Sequence, residues 1–467
     1  MRRGLAVFLL GFALRAVMIL SHPVIFGGDT LIHLVNRRSL FLGYQMPGLQ
    51  MLIAAVSEIS TDPALVRYMM AAIGATAGLG FYLVIRDLLG EKWAFPAALL
   101  FVTNPFLLVL STVPYQEILM LAGLLLAFHF FYTEKWLAAS LCLGIACLTR
   151  YESWAACPVL VVAYILRNDR SVAGWLKAAL LFGWAPAVWI LTNGGITSPG
   201  HFVLERSISI WRLERYLHLG STTAKFTPVP VLLLAIAGTL RLCKDRSLIG
   251  WRLLVQVAFI ALFCGAIVFS AHGVAPDPER YVTWREAHLP IYFVLVLAAW
   301  GLAQWPRWLG AIVGVSVVFG LAETYWYLRF ETSRPQVDLA YQLAQYLDTE
   351  VRGDERVLVL AKPIEPEIQD YLDKAHQTGG EEGLLRARLS LLEVDLSPPD
   401  YQRTLVHSRL GRDRLLSSPA ECTQWIAVWS DYPDSARELD GAEPVRVLRA
   451  GPMSITIVRH QCRANEQ

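Results

Sequence analysis

Acidic residues stand at a few isolated points in the apolar first two thirds of the chain, where a single carboxylate could do chemistry. Asp29 follows Gly27-Gly28 in the segment HPVIFGGDTLIHL, and Glu117 lies in VPYQEILML between two apolar runs. A carboxylate in such a place can take a proton from a hydroxyl group, as a general base does. A structural role is the alternative, because an acidic side chain also caps or stabilises the first turn of a helix.

Arginine occurs at two further points of the same kind. Arg150 and Glu152 lie in CLTRYESW, and Arg280, Tyr281 and Arg285 lie in HGVAPDPERYVTWREAHLP. A guanidinium group binds phosphate through two parallel hydrogen bonds, so these segments predict an anion site in which Arg280 is the stronger ligand. The alternatives are an ion pair between Arg150 and Glu152, and simple anchoring of arginine and aromatic side chains at the membrane interface.

Three more residues are candidates for substrate contact. His33 lies one helical turn after Asp29, on the same face of a predicted helix over 30–42. Trp211 and Arg212 belong to a segment of about 200–219 that predicts an amphipathic helix lying on the membrane surface. Such a helix would guide a lipid carrier towards the site, or would only anchor the chain.

The composition of the chain indicates what kind of elements hold these residues. The chain has 467 residues, of which 55% are hydrophobic and 17% are charged, whereas soluble domains carry about 25% charged residues. The net charge of +2 is too small to indicate a nucleic-acid partner. No group of residues has the spacing of metal ligands, so we expect neither a metal nor another cofactor.

Apolar runs predict about eleven membrane-spanning helices, since a span needs about 20 apolar residues. The segment 45–58 is too short for a span and is predicted to be an interfacial or re-entrant helix. The predicted spans are 4–22, 65–85, 93–112, 117–133, 136–150, 153–166, 176–192, 227–243, 252–271, 287–304 and 309–326.

The distribution of Lys and Arg predicts how the chain is oriented. Arg2 and Arg3 favour a cytoplasmic N-terminus, and 4–22 is interpreted as a retained helix because no small-residue cleavage site follows it. The basic connections 86–92, 134–135, 167–175, 244–251 and 305–308 then lie in the cytoplasm. The C-terminal part and the candidate residues lie outside, the latter on loops 23–64, 113–117, 193–226 and 272–286 and on the 150–153 turn.

Charge and proline become frequent after Tyr327, which predicts two domains: an all-α polytopic membrane domain, 1–326, and a small extracytoplasmic α/β domain, 327–467. Acceptor recognition, a lid and a structural cap are the alternatives for the second domain. Cys422 and Cys462 would pair there if they are close. The predicted elements are helices over 336–350, 365–376 and 381–394, and strands over 356–361, 425–430, 445–450 and 453–459, the last two joined at Gly451-Pro452.

The order of the motifs resembles the GT-C superfamily of membrane glycosyltransferases, which includes protein O-mannosyltransferases, aminoarabinose transferases and GPI-type mannosyltransferases. The likeness covers 1–326 and consists of the external Asp29, Glu117 before the fourth span, the LTRYE turn and the ERY motif before a proline-bearing span. Members of the family usually have two acidic residues close together after the first span. This chain departs from that pattern, because Asp29 is followed by Thr30.

The resemblance implies a sugar donor carried on polyprenyl phosphate and a lipid, glycan or protein acceptor at the extracytoplasmic face of the membrane. It implies an inverting displacement in which Asp29 takes the acceptor proton while Arg280 and Arg150 stabilise the phosphate that leaves. Two other classes stay open, a transporter or lipid flippase and a non-catalytic assembly subunit. A transporter more often carries charge at the middle of the bilayer on inverted repeats.

Overall fold

The structure is a computed structural model, and the parts of the chain that it describes are 2–23, 30, 33–34, 40, 46–60, 62–192, 213–270, 287–332, 335–351, 355, 357–360, 374, 377, 425–430 and 444–459. The chain divides into two compact units. The first consists of Met1–Ser21, Tyr44–Leu52 and Arg67–Trp326, and the second of His22–Gly43, Ile53–Val66 and Tyr327–Gln467.

Helices make up almost all of the first unit. Several begin at a proline, which lacks an amide hydrogen and is therefore well suited to the first helical position. In chain order they are α1 Arg2–Ser21, α2 Pro47–Ser57, α3 Pro63–Leu89, α4 Glu91–Val102, α5 Pro105–Leu110, α6 Gln116–Tyr132, α7 Trp136–Cys147, α8 Ala156–Arg167, α9 Val172–Thr192, α10 Leu213–Lys225, α11 Val229–Lys244, α12 Trp251–Ser270, α13 His288–Leu302 and α14 Leu309–Thr332.

Four helices in the described part of the chain are long and apolar enough to cross a membrane: Arg2–Ser21, Pro63–Leu89, Val172–Thr192 and Leu309–Arg329. Other helices that match predicted spans, α6, α7 and α13 among them, are apolar but shorter. The chain is thus a mostly helical integral membrane protein, and the number of eleven spans is not confirmed. The predicted short helix at 45–58 is α2, with 11 residues.

The predicted span 93–112 was wrong as a single helix. It is two helices, α4 and α5, because Pro105 can neither donate a backbone hydrogen bond nor avoid a clash with the preceding turn. Asn104 caps the second helix, and its side chain accepts a hydrogen bond from the Leu107 amide at 3.1 Å. The chain therefore turns at this point and leads into the first turn of α6.

Helix α6 lies at the centre of the first unit. It is apolar around its whole circumference and is buried along nearly its entire length, which is typical of a helix enclosed by other helices. Its 17 residues span about 25 Å. Polar side chains are concentrated near its two ends, so two separate clusters can form there.

One of these clusters lies at the C-terminal end of α6. His129 Nδ1 is 2.6 Å from the Asp87 carboxylate, and Arg252 donates a 2.5 Å hydrogen bond to the Asp87 carbonyl oxygen. The Tyr132 hydroxyl donates to the Arg252 carbonyl oxygen at 3.0 Å. Ends of α3, α6 and α12 thus meet beside three connections that the sequence predicts on one side of the membrane. The identity of that side stays a prediction.

The second unit contains helix α15, Pro335–Glu350, and a four-stranded sheet in the order β1-β2-β4-β3. Strands β1 and β2 are parallel, and β4 is antiparallel to both β2 and β3. Apolar residues of α15 and of the sheet form one buried core. The strands are β1 Val357–Leu360, β2 Trp425–Trp429, β3 Pro444–Ala450 and β4 Met453–Arg459.

The predicted hairpin is formed by β3 and β4. Ala450 pairs with Met453 across a turn in which Gly451 has φ of 55°, a conformation that glycine adopts without strain. Glu355 joins two of the strands, because it accepts a 2.9 Å hydrogen bond from the Trp425 indole and lies 3.4 Å from the Arg459 guanidinium. The helices predicted at 365–376 and 381–394, and Cys422 and Cys462, lie outside the described residues.

Candidate functional site

A buried ionic cluster lies at the N-terminal end of α6. Glu117 is in the first turn of this helix and is fully buried. Its carboxylate lies 2.5 Å from Nη1 of Arg150, which belongs to the turn between α7 and α8. The positive end of the α6 dipole also favours an ionised carboxylate at this position.

Arg150 binds a second carboxylate at the same time. Its Nε donates to both carboxylate oxygens of Glu152 at 3.0 Å, and its Nη2 makes a further contact with Glu152. Glu152 lies on the short 3₁₀ helix Tyr151–Ala155 that follows Arg150. Within this cluster, negative charge therefore exceeds positive charge, although Arg150 bridges both acids.

The electrostatics of Glu152 follow from this arrangement. Burial raises the pKa of the Glu152 carboxyl, but the charge and hydrogen bonds of Arg150 outweigh burial, so the net pKa lies below its ordinary value of 4.5. The charge of His288 acts in the same direction. His288 is the first residue of α13 and is 1% exposed, with its ring packed edge-on against Phe263 of α12.

The amino end of α2 is packed against the turn that carries Arg150. The Gly48 amide donates a 2.7 Å hydrogen bond to the Leu148 carbonyl oxygen. A Cβ atom at Gly48 would lie 2.6 Å from Thr149 Oγ1, so only glycine permits this approach. Gln116 Nε2 lies 3.5 Å from the Met46 carbonyl oxygen. The short apolar segment thus helps to position the cluster from within the first unit.

Several residues predicted for the site lie outside the described part of the chain. They are the predicted base Asp29, the predicted phosphate ligands Arg280, Tyr281 and Arg285, and the predicted substrate contacts Trp211 and Arg212. His33 is described and is 1% exposed in the second unit. Of the predicted residues, the structure brings together Glu117, Arg150 and Glu152.

Two buried arginines and His288 were missed in the sequence. Arg15 is fully buried in α1, where Nε donates a 2.5 Å hydrogen bond to Ser111 Oγ, while Nη2 has no hydrogen-bond partner in the described part of the chain. Arg67 of α3 donates a 2.8 Å hydrogen bond to the Thr112 carbonyl oxygen. The signal was present, because both are single charges inside predicted spans, and such charges mark functional regions.

The described residues contain no group of three His, Cys, Asp or Glu side chains that could hold a metal ion. The cluster itself offers the chemistry of two carboxylates and a guanidinium. Two carboxylates fixed by one arginine in apolar surroundings can accept hydrogen bonds from hydroxyl groups, and a carboxylate so placed can take a proton.

Solved structures share this architecture. The crystal structure of ArnT from Cupriavidus metallidurans bound to undecaprenyl phosphate has a TM-score of 0.59 and 12% identity, over 97% of this chain and 97% of that one. Its apo state has a TM-score of 0.53 and 11% identity, over 97% and 96%. The Archaeoglobus fulgidus oligosaccharyltransferase in complex with Zn and sulfate has a TM-score of 0.49 and 13% identity, over 90% and 67%. No family model and no curated protein sequence matches this chain.

The fold defines the class of protein as a polytopic helical membrane protein with a small C-terminal sheet. ArnT is an aminoarabinose transferase of the GT-C superfamily. The chain therefore shares the fold of ArnT over nearly its whole length, in agreement with the resemblance that the sequence predicted.

Proposed function

We propose that the chain is a membrane glycosyltransferase that moves a sugar from a polyprenyl-phosphate donor to an acceptor hydroxyl. The observation that carries the proposal is the buried cluster of Glu117, Arg150 and Glu152 in a GT-C fold. Buried charges in a membrane protein are costly and are kept where a function needs them. A membrane-embedded fold also suits a donor with a long apolar tail.

A polyprenyl-phosphate donor is supported by the ligand of the structural neighbour, ArnT, whose crystal structure contains undecaprenyl phosphate. In this chain, Arg280 and Arg285, with Tyr281, are the side chains that we assign to the donor phosphate. A guanidinium stabilises the charge that develops on the departing phosphate oxygen. Trp211 and Arg212 would guide the lipid, and His33 would contact the substrate.

The reaction that we propose is one displacement at the anomeric carbon. Asp29 takes the proton of the acceptor hydroxyl, the acceptor oxygen bonds to the anomeric carbon, and the bond from that carbon to the phosphate oxygen breaks. The electron pair leaves with the phosphate, and the configuration of the sugar is inverted. The residues are assigned to the extracytoplasmic face because the basic connections of the other side favour the cytoplasm.

The geometry favours a refined role for Arg150. Its guanidinium is already bound by two carboxylates. To bind the donor phosphate, it would have to compete with Glu117 and Glu152 for these hydrogen bonds. We therefore assign Arg150 to positioning both acids, and we keep Glu117 as a catalytic residue of the proposed reaction.

The test is sugar transfer in membranes supplied with polyprenyl-phosphate sugars. We expect Asp29→Asn to lower transfer by about 100-fold or more, since general base catalysis contributes 10²–10⁴-fold. A matched control is Asp62→Asn, which changes an acid of the same predicted external loop. Asp62 caps α3, where its side chain accepts a 2.8 Å hydrogen bond from the Ala64 amide, and asparagine caps equally well.

Unchanged transfer by Asp29→Asn, at normal expression, would contradict the assignment of the base. Failure of the wild-type chain to transfer any sugar, together with lipid movement across sealed vesicles, would favour the transporter or flippase class instead. Equal losses in both variants would indicate a structural effect on the loop.

A further inference from the structure

Two cysteines flank the turn that carries the ionic cluster. Cys147 is the last residue of α7 and Cys157 is the second residue of α8. They are ten positions apart in the chain, and their Sγ atoms lie 3.6 Å from each other. Both are buried, with Cys147 0% and Cys157 8% exposed. The turn between them holds Arg150 and Glu152.

The two sulfur atoms are in contact but are not bonded. A disulfide needs an S–S separation of about 2.05 Å, which is about 1.5 Å shorter than the observed contact. Cys147 ends α7 and Cys157 lies in the first turn of α8, so closing the bond requires these two helix ends to move towards each other. Among the cysteines that the structure describes, Cys142, Cys243 and Cys264 are also free thiols.

We propose that Cys147 and Cys157 form a redox-responsive pair, and that their oxidation to a disulfide closes the turn that carries Arg150 and Glu152. The oxidant is a low-molecular-weight or protein disulfide. Cys157 attacks this disulfide, forms a mixed disulfide and releases one thiol. Cys147 then attacks the Cys157 sulfur and releases the second thiol. Each released thiol takes up one of the two cysteine protons.

Closing this bond displaces atoms that hold the cluster. The Cys147 carbonyl oxygen accepts a 3.1 Å hydrogen bond from the Trp154 indole, and the next carbonyl, of Leu148, accepts the Gly48 amide. A shift of the α7 end towards α8 therefore strains the contact with α2 and moves Arg150 relative to Glu117. A displacement on the order of 1 Å in such a site can lower a rate by about 100-fold.

The linkage can be tested without measuring any activity. Trypsin cleaves after Arg150, which places Cys147 on peptide 136–150 and Cys157 on peptide 151–167. After treatment of the full-length protein in membranes with oxidised glutathione, we expect mass spectrometry to find these two peptides joined. Reduction with a phosphine should separate them.

Three variants make the assignment specific. Cys147→Ser and Cys157→Ser should each abolish the joined peptide, and the remaining cysteine should react with maleimide after denaturation. Cys142→Ser is the matched control, because Cys142 lies on the same helix and the same peptide. That variant should form the joined peptide as well as the wild type does. Separate peptides after oxidation of the wild-type protein, or a link through Cys142, would overturn the proposal.

The effect on the site rests on the proposed function and has its own readout. Oxidation should lower sugar transfer at least tenfold in the wild type, and reduction should restore it, while Cys157→Ser should be insensitive to the oxidant. A joined peptide with unchanged sugar transfer would overturn the proposal that oxidation of the two cysteines controls the site. Absence of transfer in both redox states, with the peptide joined, would count against the glycosyltransferase assignment and leave the linkage standing.

Discussion

Arg150 is held between two carboxylates in largely apolar surroundings, and this ties the ionisation of three side chains together. Its side chain is 14% exposed, that of Glu117 0% and that of Glu152 18%. In such surroundings the removal of one member takes away the partner of a buried opposite charge, which costs far more than the net worth of an ion pair. The cluster is therefore a point at which the stability of the fold depends on the residues of the proposed site.

The change Arg150→Met should destabilise the protein by about 3–5 kcal/mol, because it leaves Glu117 buried without its cation. Thermal unfolding in detergent measures this loss. The triple variant Arg150→Met, Glu117→Gln, Glu152→Gln should regain most of it, since all three charges of the cluster are then removed.

The control for this comparison is Glu134→Gln, which removes an ion pair with Arg167 at 3.8 Å whose side chains are 64% and 37% exposed. It should change stability by less than about 1 kcal/mol. Equal effects of Arg150→Met and Glu134→Gln would refute the view that Arg150 compensates buried charge.

The lowered pKa of Glu152 predicts acid sensitivity. Because the folded pKa lies below the ordinary value of 4.5, ionised Glu152 stabilises the fold above that value, and this contribution is lost as the pH falls through the folded pKa. The difference in melting temperature between the wild type and Glu152→Gln should be largest near neutral pH and should shrink below about pH 4.5. A difference that stays constant from pH 7 to 3 would contradict this.

At the scale of single residues, the sequence predicts the candidate residues of the site better than it predicts the side chains that they contact. Glu117, Arg150 and Glu152 are recognisable because each is a charge between apolar runs. Their joint cluster depends on a contact between residues 33 positions apart in the chain, which no local pattern encodes. The contact between Cys147 and Cys157 joins residues ten positions apart and is likewise not encoded by a local pattern.

Among the helices, α11 and α13 are in unusually close contact. A Cβ atom on Gly238 would lie 2.0 Å from the Leu297 carbonyl oxygen, and one on Gly301 would lie 2.0 Å from that of Leu234. Small residues at such crossings allow backbones to approach, which is how helices associate in a bilayer, where apolar burial offers little advantage. Since α13 begins at His288, this contact also supports one side of the site.

We expect Gly238→Ala to destabilise the protein by about 1–3 kcal/mol, because the added methyl group forces the two helices apart. Gly314→Ala on α14 is the matched control, since nothing lies within 4 Å of its Cβ position. That change should be neutral or stabilise by up to about 1 kcal/mol, as alanine is the better helix former. Thermal unfolding of both variants in one detergent decides the matter, and equal melting temperatures would argue against the close contact.

The helices themselves were largely predictable from apolar runs, and their ends were less so. The break at Asn104-Pro105 is predictable only if the proline is taken as a helix breaker, because the sequence stays apolar on both sides of it. The hairpin at Gly451-Pro452 was predictable because its turn residues are local and distinctive. By contrast, the role of α2 depends on Gly48 meeting Leu148, a contact far away in the chain.

For the whole molecule, the two polar clusters near opposite ends of α6 agree with the predicted sidedness but do not determine which end faces the cytoplasm. Glu117 and His129 lie near opposite ends of α6. Residues from the basic connections gather at the His129 end, where the Arg167 guanidinium lies 3.9 Å from the Trp251 ring centre. Which end faces the cytoplasm is a separate question, which labelling can answer.

Thr349→Cys should react with a membrane-impermeant maleimide in intact cells, because α15 carries this exposed residue in the part predicted to be extracytoplasmic. Native Cys243 is an internal control. It is exposed at the end of α11, beside the basic connection 244–251 that is predicted to be cytoplasmic. It should react only after the cells are permeabilised.

Peptide mass spectrometry of the labelled protein distinguishes the two thiols. The reverse pattern, with Cys243 labelled in intact cells and residue 349 protected, would invert the orientation of the chain. It would also move the candidate site to the cytoplasmic face.

The number of membrane spans is a property that composition alone does not determine. Short helices such as α7, with 12 residues, and α13, with 15, are apolar throughout. A helix of this length covers about 18–23 Å, less than the roughly 30 Å hydrocarbon layer, so the chain flanking it decides whether it spans. Sequence pattern therefore predicts the GT-C fold, which the structural neighbour shares, better than it predicts a span count.

The distance in the chain between Glu117 and Arg150 also constrains the order in which the protein is made. Glu117 leaves the ribosome 33 residues before its cation does. A single carboxylate on a newly made apolar helix is costly in lipid until it is paired. Helix α6 therefore cannot settle in the bilayer by itself as it emerges. It stays at the insertion machinery until α7 and the following turn have been made. These segments then enter the membrane together, as one helical hairpin.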